Sequence, residues 1–356
     1  MLEQSPVAAG RSRRGVNPLA WPLLALAIIL LFNLIVTPDF FSVSVKDGHL
    51  FGSLIDILKR ASPTLIIALG MTLVIATGGI DISVGSVAAI AGSVAALLVR
   101  GSNIAYLKEA AHASAPLLPV FAFALLAAAA CGLFNGSLVS LVGIQPIVAT
   151  LILMITGRGV AVLLTNGYVL NFDHPRFESV GIGYLLGLPF PFLLAIGVFL
   201  ILLLFTRFTP LGLFIQSIGG NSVASVYSGI NARTVKALVY LVSGLCAGAA
   251  GVIMTADVKA ADANYMGLWL ELDAILAVVI GGTNMAGGRY SLWGTIVGAL
   301  IIQSLTTTIL TRGVQVQYTL IVKAVVVIFV ILIQSERTRE LLRRLRGGRL
   351  PEAGAS

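Results

Sequence analysis

Five ionisable side chains fall inside or at the edges of long apolar runs: Asp81, Arg158, Glu271, Asp273 and Lys323. A charge at membrane depth is costly, so such a group pairs, reaches for water, or serves a pathway. Asp81 has the company best suited to chemistry. It sits in Thr77-Gly-Gly-Ile-Asp-Ile-Ser-Val-Gly85, between the apolar runs Leu65 to Ala76 and Val87 to Val99. A carboxylate there can change charge or ligate an ion, as a proton- or sodium-coupled carrier requires. A structural reading stays open beside it: a tight helix–helix turn in which Asp81 or Ser83 caps the second helix. Glu271 and Asp273 are expected at the mouth of a span, close to water, and Arg158 and Lys323 are expected to snorkel or pair.

The elements that position Asp81 recur in the chain. Val279-Ile-Gly-Gly-Thr-Asn-Met-Ala-Gly-Gly288 repeats the pattern 203 positions later, with Gly281 and Gly282 over Gly78 and Gly79, Asn284 over Asp81 and Gly288 over Gly85. Irregular backbone at membrane depth is tolerated where it is buried or lines a cavity. Paired glycine interruptions in the two halves of a chain point to the central site of a transporter.

Hydrophobic residues make up 58% of the 356 residues and charged ones 11%, against about 25% charged in soluble domains. With a mean hydropathy of +1.00, the expected fold is an all-α polytopic integral membrane protein. The apolar runs are continuous, unlike the alternating segments of a membrane β-barrel. They predict about ten spans, at 19–37, 62–77, 83–99, 117–140, 147–165, 189–206, 236–256, 270–283, 291–309 and 318–334. The runs at 62–77 and 270–283 abut the glycine motifs and can be half-helices. With ten spans the inner side collects 13 Lys/Arg and 5 Asp/Glu, and the outer side 8 and 10. The positive excess therefore lies inside, with both termini cytoplasmic. The chain divides into an N-terminal segment 1–18, a membrane domain 19–334 and a basic tail 335–356. The six arginines of that tail, between Arg337 and Arg349, suit anionic lipid headgroups better than nucleic acid.

Three outer segments, Lys46 to Arg60, Asn171 to Glu178 and Asp257 to Trp269, are either solvated loops or together a docking surface. The inner segment 207–236 carries three positive charges and no acidic residue. Asn221 or Ser222 can cap a short helix there and Gly229 can end it. Such a helix suits a partner's groove or lies flat in the membrane interface. Cys131 and Cys246 lie in apolar helices and read as packing residues. The chain has no G-x-x-x-x-G-K-[ST] phosphate loop, no H-E-x-x-H and no G-x-S-x-G, so nothing in it suggests an enzyme or a bound cofactor.

An ordered series of motifs resembles the ribose-type sugar permeases, the membrane subunits of bacterial ABC importers. The series is Gly78-Gly-Ile-Asp-Ile-Ser-Val-Gly85, Asn135-Gly136, Gln145-Pro-Ile-Val-Ala-Thr-Leu151, Gly157-Arg-Gly159, Ile218-Gly-Gly-Asn221, Ser228-Gly-Ile230, Gly281-Gly-Thr-Asn284 and Gly287-Gly-Arg289. Within that family, Leu50-Phe-Gly-Ser-Leu-Ile-Asp-Ile-Leu58, Ala261-Asp-Ala-Asn264 and Gly267 to Leu276 look most like galactofuranose importer permeases. The resemblance implies a cytoplasmic subunit that binds ATP, a periplasmic sugar-binding protein and a second permease subunit, either a different chain, as in galactofuranose-type systems, or a second copy of this one in a homodimer. It also puts the ATPase contact at Gly219, Asn221, Ala224, Ser228 and Gly229. Polar and aromatic groups near the motifs that suit a sugar are Asp81, Ser83, Asn135, Gln145, Trp269 and Asn284. For each of them a hydrogen bond between helices is the competing role.

Overall fold

The computed structural model describes residues 19–313 apart from 38–39, 47 and 102–116, and beyond them 315, 318, 320–325 and 327–328. The segments 1–18 and 335–356 lie outside the described residues. Among the described residues, six helices are long and apolar enough to cross a membrane. They are α2 (Ser53–Ala76), α4 (Leu118–Ser137, prolonged by a π-helical turn Leu138–Val142), α5 (Pro146–Leu164), α7 (Phe190–Phe208), α10 (Ala232–Val258) and α12 (Leu292–Thr311). Shorter apolar helices complete the bundle: α1 (Ala20–Val36), α3 (Val84–Arg100) and α11 (Leu270–Ile280). Residues 320–325 are helical as well, within the last expected span. The chain is a multi-pass membrane protein, and nine of the ten expected spans coincide with these helices.

Two expectations at the first motif need correction. The run at 62–77 is no half-helix. Its helix starts at Ser53 and runs 24 residues, about 36 Å at the α-helical rise, enough to span the bilayer. The outer loop expected to Arg60 therefore ends at Gly52. Asp56, Lys59 and Arg60 hid the first two turns from a hydropathy reading, yet Asp56 suits the helix's N-terminal dipole. At the second motif the half-helix reading holds. The 11 residues of α11 span only about 16 Å, roughly half the hydrocarbon core.

The core lies around α2 and α10. In its most apolar stretch α2 is 78% buried, against 22% for α7, so α7 presents most of its surface outward. Small residues let the core backbones approach: β-carbons on Gly132 and Gly244 of the facing helices α4 and α10 would strike each other's backbone. Side-chain hydrogen bonds cross-link other helices. Thr72 Oγ1 lies 2.7 Å from Thr295 Oγ1, and Asn33 Nδ2 donates to Thr308 Oγ1 at 2.7 Å. Cys131 and Cys246 are free thiols.

Two-stranded pairs tie several of the connecting segments. These are β1 (Ser44–Lys46) with β2 (His49–Phe51), β3 (Leu170–Asn171) with β6 (Ala260–Ala261), and β4 (Tyr184–Leu185) with β5 (Leu188–Pro189). Two short helices follow α7: α8 (Leu211–Gly220) and α9 (Ser222–Tyr227). One more short helix, α6 (Pro175–Ile182), lies between β3 and β4.

Candidate functional site

Asp81 is 1% exposed, and its carboxylate is engaged on both oxygens. Ser83 donates its backbone N–H (3.1 Å) and its hydroxyl (2.6 Å) to Oδ1, while the Ser243 hydroxyl donates to Oδ2 at 2.8 Å. Asn135 Nδ2 donates to Ser83 Oγ at 2.8 Å. The carboxylate thus satisfies the N–H at the start of α3. Ser83 is the N-cap residue but makes no side-chain cap, because its hydroxyl is given to Asp81. Ser243 lies 11 residues into the 27-residue α10, which puts Asp81 deep in the bundle. Tyr240 joins from the same helix: a β-carbon on Gly79 would stand 2.6 Å from its hydroxyl. Among the described residues, Tyr240 OH and Asn135 Oδ1 are buried without a hydrogen-bond partner. Sequence reasoning named Asp81, Ser83 and Asn135 but missed Ser243 and Tyr240, which sit 162 and 159 positions from Asp81 on a helix without a motif.

The segment between β6 and α11 meets this site. After β6 the chain turns through 262–269 and enters α11 with Trp269 in the left-handed region. Gly267 packs on Gly85 so closely that a β-carbon on either would overlap the other's carbonyl. Arg158, from the middle of α5, holds this segment by donating Nη1 to Ala263 O (2.9 Å) and Met266 O (2.5 Å). Lys323 pairs with Asp273 at 2.7 Å. Both basic groups are therefore paired, as expected. Glu271 was expected near water, and that is corrected: it is 6% exposed, lies over Gly85 and feels the charge of Arg158. The half-length of α11 carries its first turn into the protein, where a full span would have left it at the surface.

The other three pathway candidates do not join Asp81's hydrogen-bond network. Gln145 is exposed at the N-cap of α5 and makes no side-chain cap there. Trp269 is 52% exposed. Asn284 is exposed and accepts from Ala286 N at 3.0 Å, closing its own turn.

Within 207–236 the cap signals act as read. Asn221 Oδ1 accepts from Ala224 N at 3.0 Å, and Gly229 follows α9 with φ +85°. Asn221, Ala224, Ser228 and Gly229 are exposed, and so are Val223, Val226 and Tyr227. Gly219 differs. It faces inward, against Ala76 and Gly288.

The segments around α6 are cross-linked. His174 Nδ1 accepts from Phe177 N at 3.2 Å, and Glu178 Oε1 returns the bond by accepting from His174 N at 2.9 Å. This reciprocal pair caps α6 much as a capping box does. Lys259 reaches Glu178 at 2.5 Å. Its hydrogen bond holds the Glu178 carboxyl below the ordinary 4.5, and the same contact raises Lys259 above 10.5. His49 stacks on Tyr184 at 4.6 Å, joining the first hairpin to the third.

Residues 53–331 match the family described as "Branched-chain amino acid transport system / permease component". The galactofuranose transporter permease protein YtfT of Escherichia coli (strain K12) is 48% identical over 97% of this chain and 98% of its own. The fructose import permease protein FruF of Bifidobacterium longum (strain NCC 2705) is 38% identical over 95% and 93%. The ribose import permease protein RbsC of Escherichia coli (strain K12) is 38% identical over 88% and 93%. No solved structure matches the chain. With the family match covering most of its length, and a relative this similar from end to end, the chain belongs to the permease-component family of membrane transport systems.

Proposed function

We infer that this chain is the membrane permease of a bacterial ABC importer for a monosaccharide, a galactofuranose- or ribose-like sugar, driven by a separate ATPase subunit. The observation that carries the reading is the end-to-end similarity to sugar permeases. The exposed, capped helix α9 on the inner side gives a partner an element to grip. Each segment then has a task. The bundle 19–334 provides the passage, 207–236 meets the ATPase through Asn221, Ala224, Ser228 and Gly229, and the outer layer receives a periplasmic sugar-binding protein. ATP is bound by the partner, and this chain holds no cofactor. A second permease subunit, a different chain as in galactofuranose-type systems, completes the passage. The protein lies in the inner membrane with both termini cytoplasmic, its tail 335–356 against anionic lipid, without a role for nucleic acid.

For the passage, the buried pair Asn135 Oδ1 and Tyr240 OH matters. Buried polar atoms normally find partners, and a hydroxyl of a passing sugar can donate to the first and pair with the second. Asp81 and Ser83 hold Asn135 in place for that contact. Gln145, Asn284 and Trp269 stand outside this cluster and would act, if at all, at the ends of the route.

Reconstitution into liposomes tests the reading. Uptake of labelled monosaccharide is expected only with the ATPase, the binding protein and ATP all present, and the purified chain alone should hydrolyse no ATP. Uptake by this chain alone on a proton or sodium gradient would instead establish an ion-coupled secondary carrier.

A further inference from the structure

We propose that Gly219 is a positioning residue for coupling, the point where the inner-face segment grips both glycine motifs at once. The proposal rests on the ATPase reading above and adds the route by which the motion travels. The last carbonyl of α2, Ala76 O, accepts from Gly288 N at 2.9 Å, so one hydrogen bond links the entry to the first motif with the end of the second. Gly219 lies directly against that bond, and a β-carbon there would overlap both Ala76 O and Gly288 N. Gly287 closes the joint: a β-carbon on it would come within 2.9 Å of Gly219 O and 3.0 Å of Gly78 N. Three stretches of backbone meet here with no side chain between them. Such close packing is stiff and passes displacement on without absorbing it.

Two routes lead away from the joint, and both end at the same place. Through Gly78 the first motif runs to Asp81 and Gly85. Through the 281–288 turn, α11 leads back to Gly267, which packs on Gly85 and follows Met266, whose carbonyl Arg158 holds. A displacement of α9 thus reaches the Asp81–Gly85 stretch from both sides. The neighbouring Gly220 supplies an internal control. It has the same residue type in the same helix, yet a β-carbon there meets nothing within 4 Å.

The test uses the assembled transporter in liposomes with Gly219→Ala and Gly220→Ala variants. Gly219→Ala should co-purify with the ATPase and keep basal ATP hydrolysis within about twofold, while sugar transported per ATP falls about tenfold, within the usual range of coupling between sites. Gly220→Ala should match the parent in both. Parent-like transport per ATP in Gly219→Ala, or an equal loss in Gly220→Ala, overturns the proposal.

A second pair of variants covers the case in which Gly219→Ala does not assemble. Gly287 and Gly288 share a positive φ, +92° and +89°, but a β-carbon on Gly287 meets Gly219 O at 2.9 Å, whereas one on Gly288 meets nothing nearer than 3.7 Å. Gly287→Ala should therefore lower sugar transported per ATP more than Gly288→Ala does. Equal transport per ATP in these two variants contradicts the proposal. If the parent complex itself shows no ATP-driven uptake, it is the ATPase reading that fails.

Discussion

Asp81 and Asn284 hold the same place in two matching glycine motifs, yet Asp81 is 1% exposed and Asn284 lies at the surface. Asp81 binds across the bundle to Ser243 on α10, whereas Asn284 bonds only within its own turn. The difference begins in the preceding helices. A 24-residue helix leads into the first motif and an 11-residue half-helix into the second. The first motif turns back into the bundle toward α10, and the second closes against α8 at Gly219. Residue alignment between repeats therefore predicts where backbone turns, and it leaves open what each side chain does.

Alanine at the two positions should break the symmetry most clearly. Asp81→Ala strands the Ser83 and Ser243 hydroxyls in a buried site, and loss of about 3 kcal/mol is expected for such a network. Thermal unfolding of the purified chain reads this, and a loss no larger than that of Asn284→Ala would refute the contrast. Asp81→Asn keeps the shape and one acceptor, so it should spare ATPase assembly and change flux.

Arg158→Leu comes next. It leaves the Ala263 and Met266 carbonyls without their donor, at about 2 kcal/mol for buried acceptors of this kind, and should raise protease cleavage within 260–269. Unchanged cleavage would mean that Gly267 against Gly85 suffices to hold the segment. Asn284→Ala, losing one exposed turn bond, should cost at most about 1 kcal/mol by the same melting measurement.

The smallest effect belongs to Glu178 and Lys259, outside both motifs. Glu178 titrates below its ordinary value when folded. Its contribution is therefore complete above about pH 4.5 and lost as pH falls through the lowered value. Lys259 titrates above its ordinary value, so its share is complete below about pH 10 and lost as pH rises through the raised one. A Glu178→Gln variant should melt slightly lower than the parent at neutral pH and converge with it in acid. A gap that persists in acid would mean the carboxylate's charge is not what the pair uses.

Much of this fold can be read from the sequence because each span is a local property of its own residues. The cap at Asn221 and the stop at Gly229 are local too, and both act as read. What escaped was long-range. Ser243 and Tyr240 carry no motif, and only the packing of α10 on α2 brings them to Asp81. The first turns of α2 were hidden by their charges. Glu271 was misplaced because nothing local says that α11 begins inside the protein, on a segment held by Arg158. The contact of Gly219 with Ala76 and Gly288 joins three distant glycine-bearing stretches, and the spacing of any one of them does not reveal it.

Coupling to a cytoplasmic ATPase requires the glycine joint and α9 to face the cytoplasm while the layer around Glu178 and Lys259 faces out. Single cysteines at Tyr227 and Tyr265, which are 88% and 74% exposed, test this directly in a chain with Cys131 and Cys246 replaced by Ala. On intact cells without an outer-membrane barrier, a membrane-impermeant maleimide should label Tyr265→Cys at once and Tyr227→Cys only after the membrane is opened. Labelling of Tyr227→Cys from outside would invert the topology and remove the ATPase from the side where its helix waits.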